Sequence, residues 1–139
     1  MLCYNFICMG REKTFDSGLF FSALADRTRL RILNLMRDGE VCVCFFAGAL
    51  ETNNPKISRH LSYLKRASLV AGRRDGKWMH YRLQKPSDQK AAEVFDAAMR
   101  LLESDAEMVE DRKKLVNICC SPGAPVFIQG RANKTGNSR

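Results

Sequence analysis

No run of about 18 apolar residues occurs anywhere in the sequence, which excludes a transmembrane helix. The opening segment from Met1 to Lys13 has no basic n-region and is interrupted by Asn5. A secretory leader is therefore not expected, and the chain is expected in the cytosol. A Cys-x-x-Cys pair, a nucleotide-binding loop and a Ser/His/Asp set are all missing, so an enzyme is not expected. The best enzymatic case left is thiol chemistry at the adjacent Cys119 and Cys120, but neither an activating base nor a βαβ pattern accompanies them. No internal repeat is visible. Hydrophobic residues make up 45% and charged residues 27% of the 139 residues, which excludes collagen-like, mucin-like and wholly disordered chains and fits one globular domain.

What the chain does have is positive charge, and its placement says more than its total of +8. Residues 1–52 carry six charges of each sign and cancel. Residues 53–82 carry Lys56, Arg59, Lys65, Arg66, Arg73, Arg74, Lys77 and Arg82 against Asp75 alone, a local +7. Residues 87–116 carry five basic and eight acidic residues, a local −3. A polyanion is the natural partner of the central segment. A solvated basic face with no partner is the plainer alternative.

Six cysteines fall into three local pairs, Cys3 and Cys8, Cys42 and Cys44, Cys119 and Cys120. Cys42 and Cys44, or Cys119 and Cys120, are too close to brace a fold well, and no export signal supports oxidation, so reduced thiols acting as soft-metal ligands or redox sensors are expected. Residues two apart on a regular helix point to different sides, so joint chelation by Cys42 and Cys44 requires an extended or distorted helix start. Two buried cysteines acting as small hydrophobes are the alternative.

Leu19, Phe20, Ala23 and Leu24 are spaced for one face of a helix over 15–25. Asp26 starts a second helix through Arg37, on a stripe of Leu30, Ile32, Leu33 and Met36, and Asp38-Gly39 stops it. A short helix over 44–50 follows. Asn54 as N-cap and Pro55 at the first helical position start a fourth helix that reaches about Ser68. Leu69 to Ala71 can form a strand, Asp75-Gly76 marks a tight turn, and residues 78–83 form the return strand. Lys85-Pro86-Ser87 caps a long helical stretch from Asp88 to about Ile118, with an optional interruption at Ser104-Asp105. Its stripe of Val94, Phe95, Ala98, Leu101, Leu102, Met108, Val109 and Leu115 reads as core or as a dimer contact. Residues 1–14 read as a flexible segment, 15–120 as the folded domain and 121–139 as a disordered tail.

This order predicts a mainly α fold with a β-hairpin wing, a winged helix-turn-helix. At about 100° per residue, Ile57, Leu61 and Leu64 share a buried stripe on the fourth helix. Arg59, Ser62 and Arg66 fall opposite, flanked by Ser58 and Tyr63. Such a face can enter a major groove, while Arg73, Arg74 and Lys77 around the hairpin tip meet phosphates. Trp78 reads as a packing residue of the wing.

Four segments then carry a resemblance over roughly residues 15–85. Residues 21–33, Phe-Ser-Ala-Leu-Ala-Asp-Arg-Thr-Arg-Leu-Arg-Ile-Leu, resemble the opening helices of the ArsR/SmtB metalloregulatory repressors. Pro55 to Leu61 resembles their recognition helix, Gly76 to Leu83 their wing, and Glu40-Val41-Cys42-Val43-Cys44 the cysteine-bearing third helix of the arsenic-responsive branch. The resemblance implies a homodimer that represses a metalloid-resistance operon and leaves its DNA when trivalent arsenic or antimony binds cysteine thiolates, with no organic cofactor. It implies operator contacts by Lys56, Ser58, Arg59, Ser62, Tyr63, Arg73, Arg74 and Lys77, and ligation by Cys42 and Cys44.

One departure matters: where that branch has its third cysteine this chain has Ala47. Cys119 and Cys120 resemble the adjacent pair of other arsenic-responsive members and can supply the missing sulfur. Cys3 and Cys8 resemble the N-terminal cysteines of the cadmium- and lead-responsive branch, which leaves a cadmium or lead sensor as an alternative. A repressor switched by thiol oxidation is another. Neither His60 nor His80 lies on the last helix, where the zinc- and nickel-type branch keeps its ligands, so a zinc site of that kind is not expected.

Overall fold

A computed structural model describes residues 14–119. The expectations for the two chain ends, and with them Cys3, Cys8 and Cys120, lie outside the described residues. The elements are α1 (Ser17–Leu24), α2 (Arg27–Leu35), β1 (Val41–Cys42), α3 (Val43–Ala49), α4 (Asn54–Arg66), β2 (Val70–Asp75), β3 (Trp78–Leu83), α5 (Gln89–Glu103) and α6 (Ala106–Cys119). The fold is a winged helix-turn-helix. It is mainly helical, with a three-stranded antiparallel sheet in the order β1-β3-β2.

Short polar side chains start the helices, Asp26 where the sequence predicts it and Asp16 and Asp88 within a residue or two of the expected starts. Asp16, Asp26 and Asp88 accept from Leu19 N, Arg29 N and Ala91 N, each at 2.9 Å, and satisfy amide groups that the first turn leaves open. The cap of α4 is Asn53, which accepts from Lys56 N at 3.0 Å, so the helix begins one residue earlier than expected and Pro55 stands in its second position. Pro55 still fits there, because the amide it lacks would have no helical acceptor. α4 ends with Ser68 in the left-handed region at φ 60°, where Leu69 N bonds Leu64 O and Ser68 N bonds Lys65 O, both at 3.0 Å. This closing turn turns the chain directly into the wing. At the wing tip Gly76 takes φ 58° opposite the Asp75–Trp78 pair, a conformation open to glycine.

The core lies between α2, α3 and α4. Ile32, Leu33 and Met36 of the α2 segment, Phe46 of α3, and Ile57, Leu61 and Leu64 of α4 are almost fully buried. Each such side chain contributes about 1.5–3 kcal/mol of burial, and the α4 trio fixes which face of that helix looks outward. Phe20, on the apolar face predicted with Leu19, Ala23 and Leu24, is 1% exposed within its own chain, 5.4 Å from Phe15 between ring centroids. Its neighbour Phe21 is the exposed aromatic. One position along a helix turns a side chain by about 100°, which is enough to exchange core for surface.

The long last helix is two helices, with the break at Ser104-Asp105. Asp105 accepts from Met108 N at 3.2 Å and so opens α6. Arg27 binds the same carboxylate at 2.9 Å and, together with the helix-start amides, holds its carboxyl below the usual carboxylate range. A polar seam binds α6 to α2. Arg31 makes a two-pronged pair with Asp111 at 2.7 and 2.8 Å, Asn34 donates to Met108 O at 2.9 Å, and Arg112 donates to Asn34 at 2.6 Å. Asp111 and Asn34 are buried, so these bonds replace the water both groups lose.

Candidate DNA interface and thiol site

α4 presents Lys56, Ser58, Arg59, Ser62, Lys65 and Arg66 to solvent while Ile57, Leu61 and Leu64 turn inward. No acidic residue occupies its first turn, so the positive end of the helix dipole is left open to an anion. The exposed side chains are donors of the kind that reach base edges and phosphates. Tyr63 differs from the rest of the expected set. Its ring is half-buried, with the Arg29 guanidinium 4.2 Å from its centroid and that of Arg66 at 4.9 Å. Arg29 also donates to Ala23 O at 2.9 Å and to Ser22 O at 2.5 Å, closing the C-terminal end of α1. The sequence reading missed this role, because an arginine one turn into a helix carries no sign of which earlier carbonyls it will meet.

The wing carries Arg73 and Arg74 on β2 and Lys77 in the turn, all exposed. Lys77 Nζ lies 5.5 Å over the Trp78 ring, and Trp78 packs against the core as expected. Arg74 makes no ion pair among the described residues. Arg73 is held: Glu40 accepts from its Nη2 at 2.5 Å and its Nε at 3.3 Å, and Asp75 lies 3.8 Å from Nη1. The Glu40 carboxylate raises the already high pKa of this guanidinium, so its charge is permanent.

The cysteines depend on an element absent from the sequence reading. Val41 and Cys42 form β1, in register with Tyr81 and His80 of β3. Cys42 is therefore extended, at φ −70° and ψ 140°, and is the N-cap of α3, which begins at Val43 rather than Cys44. Extended backbone at one cysteine and helix at the other removes the objection of residues two apart pointing different ways. The two sulfurs converge to 3.2 Å, Cys44 donating to Cys42. This is well beyond the ~2.05 Å of a disulfide, so both are thiols. Cys42 is fully buried, while Cys44 stands at the surface. Desolvation of its sulfur, then the bond to Cys42 and the charge of that neighbour, push the Cys44 thiol up to about 12.

Cys119 ends α6, half-buried against the core. α6 lies along α3 so closely that a Cβ at Gly48 would sit 3.1 Å from Cδ1 of Ile118. Cys119 is near enough for its charge to add to the upward push on Cys44. Two of the four expected ligands are thus in contact, the third is on the adjoining helix end, and the fourth, Cys120, lies outside the described residues. Among the described residues no three His, Cys, Asp or Glu side chains are gathered closely enough to hold a metal ion. The fit is that of a two-sulfur jaw of soft donors, with Cys119 on the end of the adjoining helix.

The family model described as "Bacterial regulatory protein, arsR family" matches residues 26–71. The chain is similar to the arsenical resistance operon repressor of Escherichia coli K12, 42% identical over 90 residues, covering 64% of this chain and 77% of that protein. It is 44% identical over 93 residues to the arsenic resistance transcriptional regulator ArsR1 of Pseudomonas putida, covering 63% and 73%. Among solved structures it resembles the homodimeric winged helix-turn-helix DNA-binding domain Mb0332 of Mycobacterium bovis, with a TM-score of 0.52 and 30% identity over 64% of this chain and 80% of that one.

Proposed function

The chain belongs to the ArsR family of bacterial transcriptional repressors, DNA-binding regulators rather than enzymes, and from that premise we propose that it is a cytoplasmic, homodimeric repressor of a metalloid-resistance operon, released from its operator by trivalent arsenic or antimony. The observation that carries the inducer is the 3.2 Å separation of the Cys42 and Cys44 sulfurs. With bonds of about 2.3 Å to sulfur, that separation subtends close to a right angle at a bound atom. A trivalent metalloid with a lone pair makes such angles, whereas a tetrahedral divalent ion needs sulfurs about 3.8 Å apart.

Proton chemistry supports the same choice. Arsenite carries its own hydroxyls, and each arsenic–sulfur bond forms as the thiol proton leaves with one hydroxyl as water. A raised thiol pKa therefore does not oppose the reaction. A divalent cation must instead drive the proton into solvent, which the upward shift of the Cys44 thiol resists. Cys119 or Cys120 supplies the third sulfur in this reading. Lys56, Ser58, Arg59, Ser62, Arg74 and Lys77 make the DNA contacts, with Tyr63 as the surface on which Arg66 rests and Arg73 as a wing donor held by Glu40.

The test is operator release titrated with arsenite, antimonite, cadmium, lead and zinc. The first two should act at the lowest concentrations, and their effect should be flat with pH while that of cadmium rises with pH. Cys42→Ser and Cys44→Ser should bind operator normally and ignore arsenite, because a hydroxyl is a hard ligand. Removing Cys119 and Cys120 together should weaken release. Release by cadmium or lead at lower concentrations than arsenite would transfer the sensor to the N-terminal cysteines, and release by mild peroxide with no metal would make it a redox switch.

A further inference from the structure

Glu40 belongs to neither the thiol set nor the DNA-contacting set, yet it stands between them. Three strands place Cys42, His80 and Arg73 in one cross-strand row, since Cys42 pairs with His80 and His80 with Arg73. Directly opposed residues share a face of the sheet, so a buried thiol, a buried imidazole and the wing guanidinium follow one another across it. Glu40 immediately precedes β1 and closes the row. Its carboxylate grips Arg73 through Nη2 and Nε and faces His80 Nδ1 at 3.8 Å. Arg73 is 49% exposed against 17% for Glu40, so the carboxylate is the fixed partner and the guanidinium the presented one.

We propose that Glu40 is a positioning residue that couples inducer capture at Cys42 to the wing's grip on DNA, by setting the direction of the Arg73 guanidinium. This rests on the reading that Cys42 takes the inducer. A two-pronged carboxylate pair fixes the plane of a guanidinium, which leaves the Nη1 edge of Arg73, 3.8 Å from the exposed Asp75 carboxylate, as its donor toward a phosphate. β1 has only two residues and two register pairs to hold it. Drawing the Cys42 sulfur into a pyramidal three-sulfur site moves the end of that short strand. The carboxylate two residues upstream moves with it, and the guanidinium follows. The inducer-bound form then makes one phosphate contact fewer per subunit, which is the differential affinity that release requires.

The experiment measures operator affinity with and without arsenite, and arsenite affinity of the DNA-free protein, for wild type, Glu40→Gln, Glu40→Asp and Arg73→Ala. Glu40→Gln should bind arsenite as wild type does, while the arsenite-induced loss of DNA affinity shrinks about fivefold or more. Glu40→Asp, which keeps the carboxylate, should restore part of it. Arg73→Ala should show the same shrunken response, and Glu40→Gln added to it should change nothing further. In wild type arsenite should lower the log–log salt slope by about 0.9 per subunit, and in Glu40→Gln it should not. Wild-type release with an equal release in Glu40→Gln overturns the coupling alone. Wild type that keeps its operator under arsenite overturns the inducer reading, and the coupling with it.

Discussion

Removing Arg31 should cost this protein far more than an arginine in an ordinary helix. Its guanidinium makes the two-pronged pair with Asp111 at 2.7 and 2.8 Å and lies 3.4 Å from Glu107. The two sides of the pair are unequal, since the side chain of Asp111 is 2% exposed and that of Arg31 is 20% exposed. Arg31→Ala leaves a carboxylate buried with no counter-charge, a loss of about 3–5 kcal/mol. Asp111→Ala leaves an arginine that still has Glu107 and a path to water, so its cost is nearer 1–3 kcal/mol. Replacing both, as Arg31→Met with Asp111→Leu, removes the charges together and should return most of the stability. Urea unfolding at fixed protein concentration reads all three. With a slope of about 1–3 kcal/mol per molar, Arg31→Ala should lower the midpoint by about 2 M and the double variant by much less. If both single variants unfold within ~1 kcal/mol of wild type, or if the double variant is the least stable, then the seam between α2 and α6 does not rest on this pair. Because α6 carries Cys119, a loosened seam should also raise the arsenite concentration needed for release.

Three other outcomes follow from the same geometry. Burial pushes the His60 imidazole below its ordinary 6.5 against the upward pull of Asp26, 3.8 Å away; the fold favours the neutral ring, so the stability it contributes is complete above 6.5 and is lost as pH falls through the lowered value, and Glu or Gln scanning should show His60→Gln flattening the pH profile of the urea midpoint, an identical profile refuting the assignment. Arg59→Ala should cost about 1–3 kcal/mol of operator binding and relax sequence preference, whereas Lys77→Ala should weaken all sequences alike, both read by binding over a salt series. The exposed large apolar side chains, Phe21, Val94, Leu101 and Val116, lie on α1, α5 and α6 and none on α4 or the wing; Leu101→Glu should therefore shift sedimentation toward monomer and weaken operator binding with its thiols still reactive, and a dimer of unchanged strength would place the interface elsewhere.

Most of the fold was legible because its signals are local. Aspartates before apolar stripes, Asn-Pro ahead of α4 and Asp-Gly at the wing act within a turn or two of chain, and the outward face of α4 follows from the spacing of Ile57, Leu61 and Leu64. The charge of residues 53–82 and the Cys-Val-Cys spacing are likewise written in the chain itself. Tertiary structure decided the rest. A strand of two residues has too little pattern to be read, and β1 exists because β3 offers it a pairing edge some forty residues later. That pairing extends Cys42, and the extension is what brings its sulfur to Cys44. The sequence likewise could not attach Glu40 to Arg73 across 33 positions. These contacts join residues far apart in the chain, and their free energy appears only when the whole core has closed and brought them within reach.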